Sequence, residues 1–263
     1  MQNIALGQYF PGTSVVHRLD PRIKLSMTIA LIALIFFVHT YLGYLAILGL
    51  LLLAVFCSRI SFKFVLKGIK PMWFVILLTF VMNLFFLTGE NILWQWGVLK
   101  IYWEGLNKAI ELAIRLILLV MCSTILTLTT SPKEITDALE SLLRPLKVVR
   151  FPVHEMSLMM SIALRFIPTL MEETDRIMKA QTARGASFDT GGLVEKAKGM
   201  IPILVPLFVS AFKRADELAL AMEARCYHGG ENRTRMKVFH VQARDYLAMA
   251  LLVAVCVFIG FGY

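Results

Sequence analysis

The sequence predicts an all-α membrane protein, with about five transmembrane helices and a cytoplasmic portion of one short and two long helices. Three observations carry this. Apolar residues fill 58% of the 263 positions and charged residues only 17%, against roughly 45–50% and about 25% in soluble domains. Mean hydropathy is +0.70, which argues against both a disordered chain and a soluble globule. The apolar residues also gather in runs long enough to cross a hydrocarbon core of about 30 Å, which takes about 20 helical residues. The net charge is +9, from 27 Lys+Arg against 18 Asp+Glu. In a chain this apolar such an excess sets topology, and no nucleic-acid partner is expected.

Met1 to Asp20 does not read as a signal peptide, because Gly7, Pro11 and Gly12 fall where an apolar core is needed. The apolar block Leu25–Phe56 is too long for one span and breaks at His39-Thr40-Tyr41, with Gly43 close behind. It gives two helices, about 23–39 and 41–57. A third span is expected from about Pro71 to Leu87, a fourth from about Leu106 to Thr129 and a fifth from about Tyr246 to Phe261. Between the third and fourth, Gly89–Tyr102 with Trp94, Trp96, Tyr102 and Trp103 reads as an interfacial loop or short hairpin, since Trp and Tyr favour the headgroup zone.

Charge orients the spans. Arg18, Arg22 and Lys24 precede or open the first, and Arg59, Lys63, Lys67 and Lys70 lie between the second and third with no acid among them. The 39–41 turn has no Lys or Arg, and 88–105 has only Lys100. Five spans with a cytoplasmic N-terminus and an outer C-terminus place every basic-rich segment on one side. Within the fourth span Glu111 and Arg115 share a helix face and can neutralise one another. The four cysteines, Cys57, Cys122, Cys226 and Cys256, form no CxxC pair and lie at no metal-ligand spacing from a His. Neither a disulfide framework nor a metal site is expected.

The cytoplasmic portion opens at Ser131-Pro132-Lys133-Glu134, a capping-box start. Ile135, Ala138, Leu139, Leu142 and Leu143 follow at helical spacing, and Arg144-Pro145 ends this short amphipathic helix near the membrane surface. A second helix runs from Pro152 to about Arg184, roughly 33 residues or about 48 Å. Met156, Met159, Met160, Ala163, Ile167, Leu170 and Met171 form its apolar face, Pro168 bends it and Gly185 ends it. A turn at Asp189-Thr190-Gly191-Gly192 leads to a short helical stretch from Leu193, and then to a third helix from about Pro202 to Arg225, with Pro206 as a further kink.

The two long helices end alike. Ala180-Gln181-Thr182-Ala183-Arg184-Gly185 matches Ala221-Met222-Glu223-Ala224-Arg225-Cys226, offset by 41 residues, and Asp175 matches Asp216 at the same offset. Each Arg sits at the negative end of a helix dipole. Arg makes forked contacts with carboxylates, so two matching Arg suit a partner with two similar acidic docking points.

These residues resemble the transmembrane T component of energy-coupling factor (ECF) transporters, which carry two Ala-Arg-Gly-type signatures at the ends of long cytoplasmic coupling helices. Ala183-Arg184-Gly185 matches fully, and Ala224-Arg225-Cys226 departs at its last position. Further likeness lies in Gly7-Gln8-Tyr9-Phe10-Pro11-Gly12-Thr13-Ser14, His17-Arg18-Leu19-Asp20-Pro21-Arg22, Thr130-Ser131-Pro132 and Ala163-Leu164-Arg165-Phe166-Ile167-Pro168. The N-terminal motif is similar to the shared, vitamin-type group; a dedicated cobalt or nickel importer is the alternative. The resemblance implies a prokaryotic plasma-membrane complex with two ABC-type ATPases and one interchangeable, membrane-embedded, substrate-binding S component. It implies that Arg184 and Arg225 enter one acidic groove each, and that the two long helices cross and hold the S component. It divides the chain into 1–130 (four spans), 131–240 (coupling helices) and 241–263 (the last span).

An intramembrane enzyme is a competing class. No HExxH and no GxSxG is present, and His154-Glu155 are neighbours whose side chains diverge on a helix. No Walker motif is present, so ATP binding by this chain is not expected. No catalytic residue or cofactor is assigned. An autonomous channel or transporter is disfavoured by the lack of an inverted repeat and by sparse intramembrane charge.

Overall fold

The computed structural model describes residues 9–89, 91–96, 99–149, 151–186, 192–229 and 239–261. The chain forms two compact units, residues 1–142 with 238–263, and residues 143–237.

In the first unit α1 spans Pro21–Phe37, α2 Tyr41–Ser58, α3 Phe62–Ile69, α4 Trp73–Phe86, α5 Trp103–Thr129, α6 Pro132–Leu143 and α9 Ala243–Phe261. A hairpin of β1 (Ile92–Trp96) and β2 (Leu99–Tyr102) joins α4 to α5, with Gln95 opposite Lys100. Four stretches are long and apolar enough to cross a membrane: Tyr41–Ser58, Phe62–Phe86, Trp103–Thr129 and Ala243–Gly260. The apolar helix α1 has 17 residues, about 26 Å at 1.5 Å per residue. The second of these stretches, which holds the expected third span, begins earlier than the expected Pro71. Pro71 lies in a single 3-10 turn, Lys70–Met72, that carries the chain from α3 into α4. Pro fits that turn because its missing N–H is wanted only by a helix running on unbroken.

Local chemistry sets the ends. Asp20 caps α1, its carboxylate accepting from the Arg22 N–H at 2.9 Å, and Pro21 fills the first turn. At α6 the expected capping box forms: the Glu134 N–H donates to Ser131 Oγ and the Ser131 N–H to Glu134 Oε2, each at 3.3 Å.

Helix α5 is the hub, packed on α1, α2, α3 and α4, while α9 packs on α1 and α2. The buried core runs through Leu31, Ile35, Ile47, Leu51, Val55, Leu118, Met121 and Leu252. Around it the surface is apolar, with Phe37 75%, Phe56 87% and Phe86 76% exposed. Large apolar side chains left so open on helices of this length need lipid, not water, as their solvent. Gly68 lets α3 approach α5; a Cβ there would lie 2.6 Å from Thr124 Oγ1.

Polar groups fasten both ends of this bundle. At one end Glu111 Oε1 pairs with Arg115 at 2.9 Å and meets the Tyr44 hydroxyl and His39 Nδ1, each at 3.2 Å, while Lys108 holds Oε2 at 3.1 Å. Arg115 also donates to the Val38 carbonyl at 3.1 Å. The expected neutralising pair is thus part of a network that ties the α1–α2 turn to α5. At the other end Lys24 Nζ donates to the carbonyls of His17 and Thr129 and to Thr130 Oγ1 at 3.1–3.4 Å. The Asp20 N–H donates to Asp245 Oδ1 at 2.9 Å, joining positions 225 residues apart. The N-terminal turn closes over this end, with the Phe10 N–H on the Leu128 carbonyl at 3.0 Å. His17 Nε2 donates to the Phe10 carbonyl at 3.0 Å, and Nδ1 meets the Ser14 hydroxyl at 2.7 Å. Burial, reinforced by the Lys24 charge, holds the His17 pKa below its ordinary value against the opposing Phe10 and Glu134 contributions. Gly7 and Gln8 of the N-terminal motif lie outside the described residues.

The second unit is a pair of long helices, α7 (Val153–Ala183) and α8 (Leu193–Ala224). The sequence splits α8 into a short stretch from Leu193 and a helix from Pro202; the structure makes them one. Its start is capped by Glu195, whose carboxylate accepts from the Gly192 N–H at 3.1 Å. Pro206 has no N–H to give the Pro202 carbonyl, and Gln181 Nε2 of α7 donates to that carbonyl instead, at 3.4 Å. A neighbouring side chain therefore supplies the donor that a kink removes. The expected turn at Asp189-Thr190-Gly191 lies outside the described residues.

Candidate functional site

The site is built on two helix ends. At the end of α7 the Gly185 N–H donates to the Thr182 carbonyl at 2.9 Å, and the Ala186 N–H to the Gln181 carbonyl at 3.0 Å. At the end of α8 the Cys226 N–H donates to Glu223 at 2.8 Å, and the Tyr227 N–H to Met222 at 3.0 Å. Both are Schellman motifs, which satisfy orphan carbonyls by turning the residue after the cap left-handed. Gly185 has φ +88° and Cys226 φ +55°. The cap residues are Arg184 (φ −87°, ψ 7°) and Arg225 (φ −95°, ψ 15°). The departure from Gly to Cys at 226 therefore leaves the turn unchanged and costs about 1–2 kcal/mol of left-handed strain.

Ala183, Arg184, Gly185, Ala224, Arg225 and Cys226 are all exposed. Among the described residues no hydrogen bond or ion pair holds either guanidinium. The small Ala side chains leave each Arg standing clear of its helix. Two planar cations thus stand exposed, each at the negative end of a helix dipole, as a matched pair of tips.

The helices that carry them meet antiparallel. Glu173 pairs with Arg214 at 3.3 Å, and Gln181 meets Pro202, so moving forward along α7 is moving back along α8. Positions 173 and 214 are themselves 41 residues apart, the offset that relates the two tips. The ion pair joins equivalent points, each 11 residues before its Arg, so the two arms have equal length, about 16 Å. From Pro202, beside Gln181, to Arg225 is 23 residues, about 35 Å along α8. Sequence reading found both tips and missed this pivot, although the offset that paired the tips also pairs Glu173 with Arg214.

Apolar faces flank the pivot. Met156, Met159 and Met160 on α7 and Ile201, Leu204, Val205, Phe208 and Phe212 on α8 are exposed. Among the described residues no group of three His, Cys, Asp or Glu side chains gathers as a metal-ligand set.

A family model described as cobalt transport protein (CbiQ) matches residues 12–236. The chain is 51% identical over 253 residues to the energy-coupling factor transporter transmembrane protein of Ruminiclostridium cellulolyticum, covering 96% of this chain and 94% of that one. It is 51% identical over 260 residues to the protein of the same name from Brevibacillus brevis, covering 99% and 98%. To that of Bacillus subtilis it is 48% identical over 262 residues, again covering 99% and 98%. Both arginine tips and the helices that carry them fall inside the matched residues, and the chain that holds them belongs to the CbiQ family.

Proposed function

We infer that this chain is the transmembrane component of an energy-coupling factor transporter, one subunit of a larger complex in a bacterial membrane. It is a coupling subunit without chemistry of its own. Two ABC-type ATPases hydrolyse ATP, and each receives one arginine tip, Arg184 or Arg225, in an acidic groove. An interchangeable membrane-embedded S component carries the vitamin or other micronutrient and rests on the uncovered apolar faces of α7 and α8. Met-rich faces suit a partner that changes, because Met repacks readily. The observation that carries this reading is the likeness of the two ends: the same turn, the same Ala setting and on each an exposed Arg with no partner among the described residues. When the ATPases close, both tips are drawn by equal arms about the Glu173–Arg214 contact, and the pair of helices turns as a lever.

The test is Arg184→Glu with Arg225→Glu. The double variant inserts in the membrane but loses ATPase co-purification and uptake, and a single variant loses less because its twin remains. Normal uptake by the double variant overturns the docking role. The family description favours a second reading, a dedicated cobalt importer. Co-purification separates the two: the shared type captures more than one kind of S component, the dedicated type one.

A further inference from the structure

The first unit contains a partly open cavity of about 190 Å³ among α1, α2, α5 and α9. Its walls are aliphatic, with Met27 and Leu31 of α1, Leu50 and Ala54 of α2, Leu126 of α5 and Leu251 of α9. The polar groups in these walls are already satisfied. Thr28 Oγ1 donates to the Lys24 carbonyl at 2.8 Å and Thr129 Oγ1 to the Ile125 carbonyl at 2.7 Å. All three donors of Lys24 Nζ are used within the protein. Apart from Arg244, these walls offer a polar solute no open hydrogen bond. An apolar cavity of about 150 Å³ stays dry and accepts hydrocarbon, so this one suits an alkyl chain.

One lining group differs. Arg244, in the first turn of α9, is exposed and makes no hydrogen bond or ion pair among the described residues. The nearest carboxylate in sequence, Asp245, is buried, its oxygens accepting from the N–H groups of Asp20 and Gln242. The Lys24 ammonium lies at the same end, where α1 and α9 begin and α5 ends, but it sits among the carboxylates of Glu134, Asp245 and Asp20, so Arg244 is the cation that can meet a headgroup. Those helix termini mark the level of the lipid headgroups.

We propose that this cavity is a binding site for one anionic phospholipid, an acyl chain lying in the slot and the phosphate on Arg244. The charge of the mouth selects an anionic head over a zwitterionic one, and the satisfied walls select a chain over a polar ligand. The occupant is a structural lipid that fills the gap between α1 and α9. The site does not depend on the transport reading, since none of its residues belongs to the docking tips.

The test uses the full-length chain in detergent, with lipid retention read by native mass spectrometry. Phosphatidylglycerol, phosphatidylcholine with the same acyl chains, and oleate are added in parallel. Phosphatidylglycerol is retained most tightly. Arg244→Gln lowers that preference by about fivefold, the equivalent of about 1 kcal/mol per interfacial cation, and Arg244→Lys keeps most of it. Ala54→Leu with Ala248→Leu fills the slot and lowers retention of both phospholipids. The exposed Lys63, Lys67 and Lys70 attract anionic lipid elsewhere, and the comparison of Arg244 variants isolates the cavity from them. Equal retention of the two phospholipids, tighter retention of oleate, or an unchanged preference in Arg244→Gln overturns the proposal. Should the filled variant fail to fold, the three Arg244 forms still decide it.

Discussion

Cys226 sits in a backbone conformation that L-residues avoid, at φ +55°, yet Cys226 and Tyr227 make the same two hydrogen bonds as Gly185 and Ala186 make at the other tip. The exit turn forms with or without a glycine, and on the proposed docking role it is the turn that the tip requires. Cys226→Gly relieves the strain and raises stability by up to about 1 kcal/mol, with ATPase co-purification unchanged. Gly185→Val does the reverse. It places a β-branched residue at φ +88°, frays the last turn of α7 and weakens co-purification with Arg184 still present. Thermal melting of the purified chain and pull-down of the ATPases measure both. Equal behaviour of the two variants would show that the turn plays no part.

At the scale of elements, the polar contacts between the two long helices among the described residues are a partly exposed ion pair and a bond to an orphaned carbonyl. A surface pair of this kind contributes about 0.2–1 kcal/mol, too little to decide whether the helices form and enough to bias how they cross. Glu173→Lys alone, or Arg214→Glu alone, is expected to lower uptake while melting changes by less than about 1 kcal/mol. The combined exchange, Glu173→Lys with Arg214→Glu, restores the opposite charges and recovers uptake. Uptake that follows stability rather than charge pairing in these three variants would refute the pivot. Pro206 and Gln181 belong to the same scale, because the carbonyl that the proline leaves without its N–H takes a donor from the facing helix.

Over the whole molecule, one end of the bundle is closed by residues far apart in sequence. Asp245 accepts the N–H of Asp20 and that of Gln242, so it starts α9 and ties it to the start of α1. Asp245→Ala leaves the buried Asp20 N–H unpaired, which costs about 1–3 kcal/mol, while the half-buried Gln242 N–H can turn to water; melting of the full chain reads the loss, and Asp245→Asn recovers part of it. If the basic segments 18–24, 59–70 and 131–240 share one side of the membrane, the number of spans is odd. A reporter fused after Tyr263 is expected on the outer face, with the N-terminus inside. A cytoplasmic reporter would remove α1 or another helix from the set that crosses.

The amino-acid order alone determined what depends on short-range rules. Apolar runs marked the helices α1, α2, α4, α5 and α9 to within a few residues. Ser131 and Glu134 announced the start of α6, and the repeated Ala-x-x-Ala-Arg located both tips, because capping and helical spacing act within one or two turns. What it missed depends on which chains meet in space. The sequence carried the last long helix through Pro206 but started it at Pro202, because a proline ordinarily ends the helix before it; the run of α8 across Pro202 is held in the folded chain, where α7 packs along it. The Glu111 network needed His39 and Tyr44 from across the bundle. The cavity beside Arg244 exists only because four helices leave a gap that their side chains do not fill, a property of packing that no single segment contains.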